Sequence, residues 1–231
     1  MIPLRDDIPT QRRPVVTIAL IVINCGIFLY EMSLGTRGFS AFTFKWGLIP
    51  AEAVSGIELT PQMATAPAVN VFTSMFMHGG FLHLGGNMLY LWIFGNNVED
   101  VLGRWKFVLF YLASGIAAAA LFIATDPSGQ TPMIGASGAI SGVLGAYIVT
   151  FPRARVLTLI FLFFFIRVIE IPALFVLGFW FLLQVLNGMP SLGAGGGGVA
   201  WFAHVGGFLF GVLVFKLFVK RKPVIELRSW R

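Results

Sequence analysis

Polar residues interrupt this chain only at wide intervals. Apolar stretches near 14–34, 81–102, 105–125, 134–151, 171–187 and 199–219 are each long enough to cross roughly 30 Å of hydrocarbon as a helix. The pattern predicts six membrane-spanning helices, and with them an all-α polytopic membrane protein. One run overshoots. As a single helix, residues 156–187 would extend about 48 Å, but Arg167 and Glu170 interrupt them. Charges at the bilayer centre are costly, so the fifth span is expected to begin near Pro172, with the preceding LTLIFLFFF along or within the cytoplasmic interface.

Composition supports this reading. With 57% hydrophobic and 11% charged residues over 231 positions, the chain has too little polar surface to clothe a soluble domain of its size. The formal net charge of +6 is spread between the apolar runs and not gathered in one patch, which argues against a nucleic-acid partner. All of the 16 Lys and Arg residues except Arg37 and Lys45 fall on one side of the six-span arrangement. That bias puts both termini in the cytoplasm, and an odd number of spans would scatter it. The apolar run that follows residue 13 is longer than a signal-peptide core and lacks a clear cleavage site, so it reads as a retained first span. The expected organisation is a cytoplasmic segment over 1–13, a six-helix domain over 14–221 and a cytoplasmic tail over 222–231. Cys25 lies alone in an apolar run and reads as a small buried hydrophobe.

Two outer connections stand out. Residues 35–70 are rich in Phe, Trp and Ile (GFSAFTFKWGLIP) and suit the membrane interface. The last connection, SLGAGGGGVA at 191–200, reads as a flexible hinge.

Candidate chemistry gathers near the outer ends of the helices. His78, His83 and His204 are all the histidines present, and a histidine inside a membrane helix is usually functional. In the fourth helix Ser137, Ser141 and Gly145 share one face, with Gly138 and Gly142 beside them. In the sixth, His204 shares a face with Gly207 and Gly211, and Ala203, Gly207 and Gly211 form a small-xxx-small series. Two smooth faces permit close backbone approach, so Ser137 and His204 could come within hydrogen-bond reach. In the second helix His83 and Asn87, four apart, point at one spot. With cytoplasmic termini all four residues lie at a similar depth, about 10 Å or less below the outer surface.

Such a layer suits acyl transfer. A neutral imidazole beside a serine hydroxyl can remove its proton, and His83, the Asn87 amide and the Ser137 backbone N–H could receive an oxyanion. Apart from Asp126, in the loop before the fourth helix, no carboxylate falls near the layer, so a Ser-His dyad is expected. Taken alone, GASG is a packing motif, and a lone helical serine bonds back to its own backbone. The coincidence of GASG, AHVGG and HxxxN at matching depth weighs against packing alone. Zinc is disfavoured, because neither HExxH nor a set of acidic or cysteine partners is present. A transporter reading would need polar residues continuing to the cytoplasmic side, and the inner halves of these helices are almost entirely apolar.

At HGGFLHLGGN (78–87), GASG (135–138) and AHVGG (203–207) the chain resembles the rhomboid intramembrane serine proteases of the bacterial six-helix type, from the first span to the last. The resemblance implies Ser137 as nucleophile, His204 as base, and His83 and Asn87 as oxyanion donors beside the Ser137 N–H. It implies a structural role for His78, and Gly135, Gly138, Gly207 and Gly211 stand as structural residues near the site. It implies membrane-protein substrates whose transmembrane helix approaches past the fifth helix and its following loop, unwinds and is cut near the outer surface. No cofactor, metal or nucleic acid is implied, and the setting is a bacterial plasma membrane. A catalytically silent relative that binds transmembrane clients is the alternative. One departure is visible: some members carry an aromatic residue four positions after the nucleophile, where this chain has Ser141.

Overall fold

The computed structural model describes residues 1–56, 65–162, 165–191 and 199–219. A short strand, β1 (Ile2–Asp6), precedes the long apolar helix α1 (Val15–Ser33). The connection that follows folds into short helices, α2 (Gly35–Trp46), α3 (Pro50–Ser55) and α4 (Pro67–Thr73). Next come α5 (Phe81–Tyr90) and α6 (Asn96–Leu102), joined without a break by a π-helical turn at Leu91–Gly95. Gly103, at φ +77°, turns the chain sharply into α7 (Arg104–Thr125), and α8 (Ser137–Thr150) follows a loop. Strands β2 (Arg155–Leu162) and β3 (Phe165–Pro172) lead into α9 (Ala173–Gly188), and α10 (Trp201–Phe218) is the last element.

Each of the six apolar stretches is therefore helical. The helices α1, α7 and α10 are long and apolar enough to cross a bilayer, whereas α8 and α9 are apolar but shorter. Outward-facing leucines and tryptophans such as Leu213, Leu217 and Trp105 are largely exposed, as surfaces meant for lipid are. The glycine run lies mostly outside the described residues, as does the tail from 220 onward.

Helix α8 forms the centre. It is buried from Gly138 to Tyr147, and its glycines let neighbours touch backbone. A Cβ at Gly207 would run into the Gly138 carbonyl oxygen, and one at Gly211 into that of Gly142. On the other side, a Cβ at Gly138 would come within 2.7 Å of the Ala118 Cβ, and one at Gly206 within 2.9 Å of the Ala117 carbonyl oxygen. Thus α7, α8 and α10 form a close-packed trio by small-residue contact. Since α8 has only 14 residues, it rises about 21 Å, less than the hydrocarbon thickness.

The segment around 155–172 departs from expectation. Expected along or within the cytoplasmic interface and set in an otherwise helical chain, it forms a hairpin, with β2 antiparallel to β3 from Arg155–Pro172 to Leu162–Phe165. β1 adds to the other side of β2, pairing Ile2 with Leu159 and Asp6 with Val156. The physical reason is composition: Val156, Thr158, Ile160, Ile166, Val168, Ile169 and Ile171 are β-branched and suit a pleated surface. Among the described residues the protein remains predominantly helical, with one small sheet at the end opposite Ser137.

Side-chain hydrogen bonds tie this end together. Tyr147 Oη and Asn97 Nδ2 both donate to Asp6 Oδ2, each at 2.5 Å. Burial pushes the Asp6 carboxyl up to about 7, against the Tyr147 hydrogen bond and with help from nearby Asp7. The Glu99 carboxyl group accepts from the Val16 N–H at 3.0 Å, the Thr17 N–H at 2.8 Å and the Thr17 hydroxyl at 2.8 Å, so it caps α1, whose own residues supply no cap.

Candidate active site

Gly135 stands immediately before α8 at φ +131°, a backbone conformation open to glycine and few other residues. A Cβ there would lie 2.8 Å from His83 Nε2 and 3.4 Å from Ser137 Oγ. The bare backbone at this point lets α5 and the start of α8 converge. Ser137 follows as the first residue of α8, where the backbone N–H groups have no partner within the helix.

From α10, His204 reaches the same spot. Its Nε2 lies 2.7 Å from Ser137 Oγ, a separation set by the glycine contacts between α8 and α10. The imidazole is nearly buried. Its Nδ1 lies 2.7 Å from Gln184 Oε1 on α9, and the Trp180 ring, one turn earlier on α9, lies at 5.9 Å between centroids. Trp201 meets the imidazole edge-on at 6.3 Å.

The second histidine is held the opposite way. The Gly79 N–H donates to His83 Nδ1 at 3.3 Å, which leaves the proton on Nε2, the atom facing Gly135 and Ser137. Asn87, one turn further along α5, is buried, and its Nδ2 makes no hydrogen bond within the protein. A buried donor without a partner calls for an explanation. His83, Asn87, Ser137 and His204 all line one cavity of about 940 Å³.

The structure thus brings together Ser137, His204, His83 and Asn87 as the shared depth in the sequence suggested. Ser141 bonds back, its Oγ donating to the Ser137 carbonyl at 2.6 Å. His78 lies outside the cavity lining. Its ring is fully buried, edge-on to His83 at 5.1 Å, and its backbone N–H donates to Glu31 Oε2 at 3.2 Å. Asp126 lines the cavity, yet the group on His204 Nδ1 is an amide. Sequence reasoning missed Gln184 and Trp180. Their signal was an isolated amide in the apolar run ALFVLGFWFLLQVL, with an indole four residues before it.

A mostly helical, apolar bundle with a serine and an imidazole in contact suits a rhomboid-type membrane protein. The rhomboid domain model matches residues 66–221, and the chain belongs to the rhomboid family of integral membrane proteins, which contains proteases and inactive relatives. It is 35% identical over 152 residues to mitochondrial rhomboid protein 1 of Saccharomyces cerevisiae, covering 63% of this chain and 40% of that one. It is 32% identical over 169 residues to the human mitochondrial presenilin-associated rhomboid-like protein, covering 67% and 40%. A 76-residue stretch is 37% identical to RHOMBOID-like protein 5 of Arabidopsis thaliana, covering 33% and 25%. The chain therefore spans less than half the length of these relatives.

Proposed function

We propose that this chain is an intramembrane serine endopeptidase that cuts transmembrane segments of other membrane proteins. The observation that carries the proposal is the 2.7 Å contact between Ser137 Oγ and His204 Nε2. His204 takes the Ser137 proton as the oxygen attacks the scissile carbonyl. The tetrahedral oxyanion is received by His83 Nε2–H, Asn87 Nδ2 and the Ser137 backbone N–H. Collapse breaks the C–N bond, His204 gives its proton to the leaving amine, and the acyl group stays on Ser137. A water molecule, deprotonated by His204, then releases the acid and restores the serine.

A site a few residues below the outer surface, where the sequence puts it, fits such a substrate. A carbonyl within a helix is already hydrogen-bonded and covered, so the segment must unwind locally to present it, which is easiest near the membrane surface. We place the chain across a bacterial plasma membrane in six passes, with the basic ends and both termini on the cytoplasmic side. The basis is the distribution of Lys and Arg and the family motifs. In this reading residues 1–13 and 222–231 flank the catalytic domain, 14–221.

The test is labelling of the detergent-solubilised protein with a fluorophosphonate, mapped by mass spectrometry. Label on Ser137 that disappears in Ser137→Ala and in His204→Ala is the expected result. Folded protein that takes no label at Ser137 would overturn the protease reading in favour of a silent binder of transmembrane clients.

A further inference from the structure

The mechanism needs His204 Nε2 free of its proton before the serine can donate to it. Nothing in a dyad alone secures this, since a neutral imidazole can carry its proton on either nitrogen. In this protein the choice is made from α9. Gln184 Nε2 donates to the Trp180 carbonyl at 3.1 Å, and that bond fixes which way the amide faces. Were it flipped, Oε1 would meet the Trp180 oxygen, two acceptors in contact. With the nitrogen engaged, it is the Gln184 oxygen that lies 2.7 Å from His204 Nδ1. An oxygen can only accept, so the imidazole proton is held on Nδ1 and Nε2 is left as a base. Trp180, from the same helix face, packs against the ring. Gln184 itself is buried, so water is a poor substitute for its oxygen.

We propose that Gln184 is a positioning residue for the reaction, an uncharged third member behind Ser137 and His204 that fixes the tautomer and rotation of the imidazole. It occupies the role that a carboxylate fills in soluble serine hydrolases. An amide suits a site within a membrane bundle, since it orients the ring without burying a charge. The proposal rests on the protease reading for its consequence in rate, though not for the hydrogen bond itself.

Two measurements test it. The first is the second-order rate of fluorophosphonate labelling at Ser137 for Gln184→Met, which keeps the length of the side chain and loses the acceptor, and for Gln184→Glu, which keeps an acceptor oxygen. The Met variant is expected to label about 10- to 100-fold more slowly and the Glu variant within about fivefold of the wild type. The second is the ring ¹⁵N spectrum of the three histidines, with His204 assigned by its loss in His204→Gln. Wild-type His204 is expected as the Nδ1–H form, and Gln184→Met as a mixture or the Nε2–H form. A wild-type Nε2–H form, or an unchanged spectrum and rate in folded Gln184→Met, would overturn the proposal. A wild-type protein that never labels but shows the Nδ1–H form lost in Gln184→Met would overturn the protease reading and uphold the hydrogen bond.

Discussion

Replacing Gly207 by alanine adds a single methyl group where α10 touches α8. That Cβ would fall onto the Gly138 carbonyl oxygen, and it would stand 3.2 Å from the Ser141 Cβ. The obstructing oxygen is helix backbone, so no rotamer change relieves it. Restoring ordinary van der Waals separation requires the two helices to part by roughly 1 Å. Ser137 is the residue before Gly138, and His204 lies less than one turn before Gly207, so the gap opens at the reacting pair. A 2.7 Å contact becomes about 3.7 Å, beyond hydrogen-bond range. A misplacement of that size costs on the order of 100-fold in rate, together with about 1–3 kcal/mol of stability from overpacking. Gly207→Leu is expected to abolish activity. The assay is the fluorophosphonate labelling rate at Ser137 measured beside thermal unfolding in detergent. Gly26→Ala and Gly178→Ala, whose added Cβ would meet nothing within 4 Å, serve as controls and should label at the wild-type rate. Wild-type labelling by a folded Gly207→Ala protein would refute the claim that backbone contact sets the Ser137–His204 distance.

Asn87→Ala removes the buried donor facing the cavity and should lower kcat by about 10²- to 10³-fold with little change in KM, as measured on a reconstituted transmembrane substrate; a loss confined to KM would assign it to binding. Glu99→Ala strips three hydrogen bonds from the start of α1 and should destabilise the protein by about 3 kcal/mol, read from unfolding in detergent; a change below 0.5 kcal/mol, about the scatter of surface substitutions, would contradict the capping role. The Asp6 carboxyl, raised to about 7 in the fold from 3.8, stays protonated in the folded chain where the unfolded chain has released its proton. Its contribution is full below pH 3.8 and is lost as pH rises toward 7, so hydrogen-exchange protection of β1 should fall across that window. Asp6→Asn should flatten the fall, and an unflattened profile would show that another group is responsible.

Much of the fold was open to reading because its signals are local. Length and hydropathy mark the helical stretches, and three- and four-residue spacing sets Gly138 and Gly142 on one smooth face and Gly207 and Gly211 on another. The serine, the two site histidines and Asn87 could be grouped because distance from a helix end translates directly into depth. The sheet was hidden because an apolar run of that length fits a helix and a hairpin equally in hydropathy; only its β-branched residues distinguish them. The Gln184–His204 pair was hidden for another reason. It joins two helices, and which faces meet is a tertiary fact that neither helix records alone. The opposite tautomers of His83 and His204 follow from single partners, the Gly79 N–H and the Gln184 oxygen, that no spacing rule would select.

The small sheet also bears on the order in which the molecule can be built. Asp7 and Arg155, joined where β1 meets β2, are 148 residues apart along the chain, and β1 is translated first. At ordinary elongation rates of about 5–20 residues per second, its partner emerges from the ribosome roughly 7–30 s later. During that interval α1, α7 and α8 can enter the membrane while β1 waits with both edges unpaired. Arg5, Asp6 and Asp7, charged residues at the end of a very short strand, are the kind that discourage pairing with a stranger. Closure of β1 onto β2 is then a late event in biogenesis, one that registers that the chain through α8 has been made and threaded.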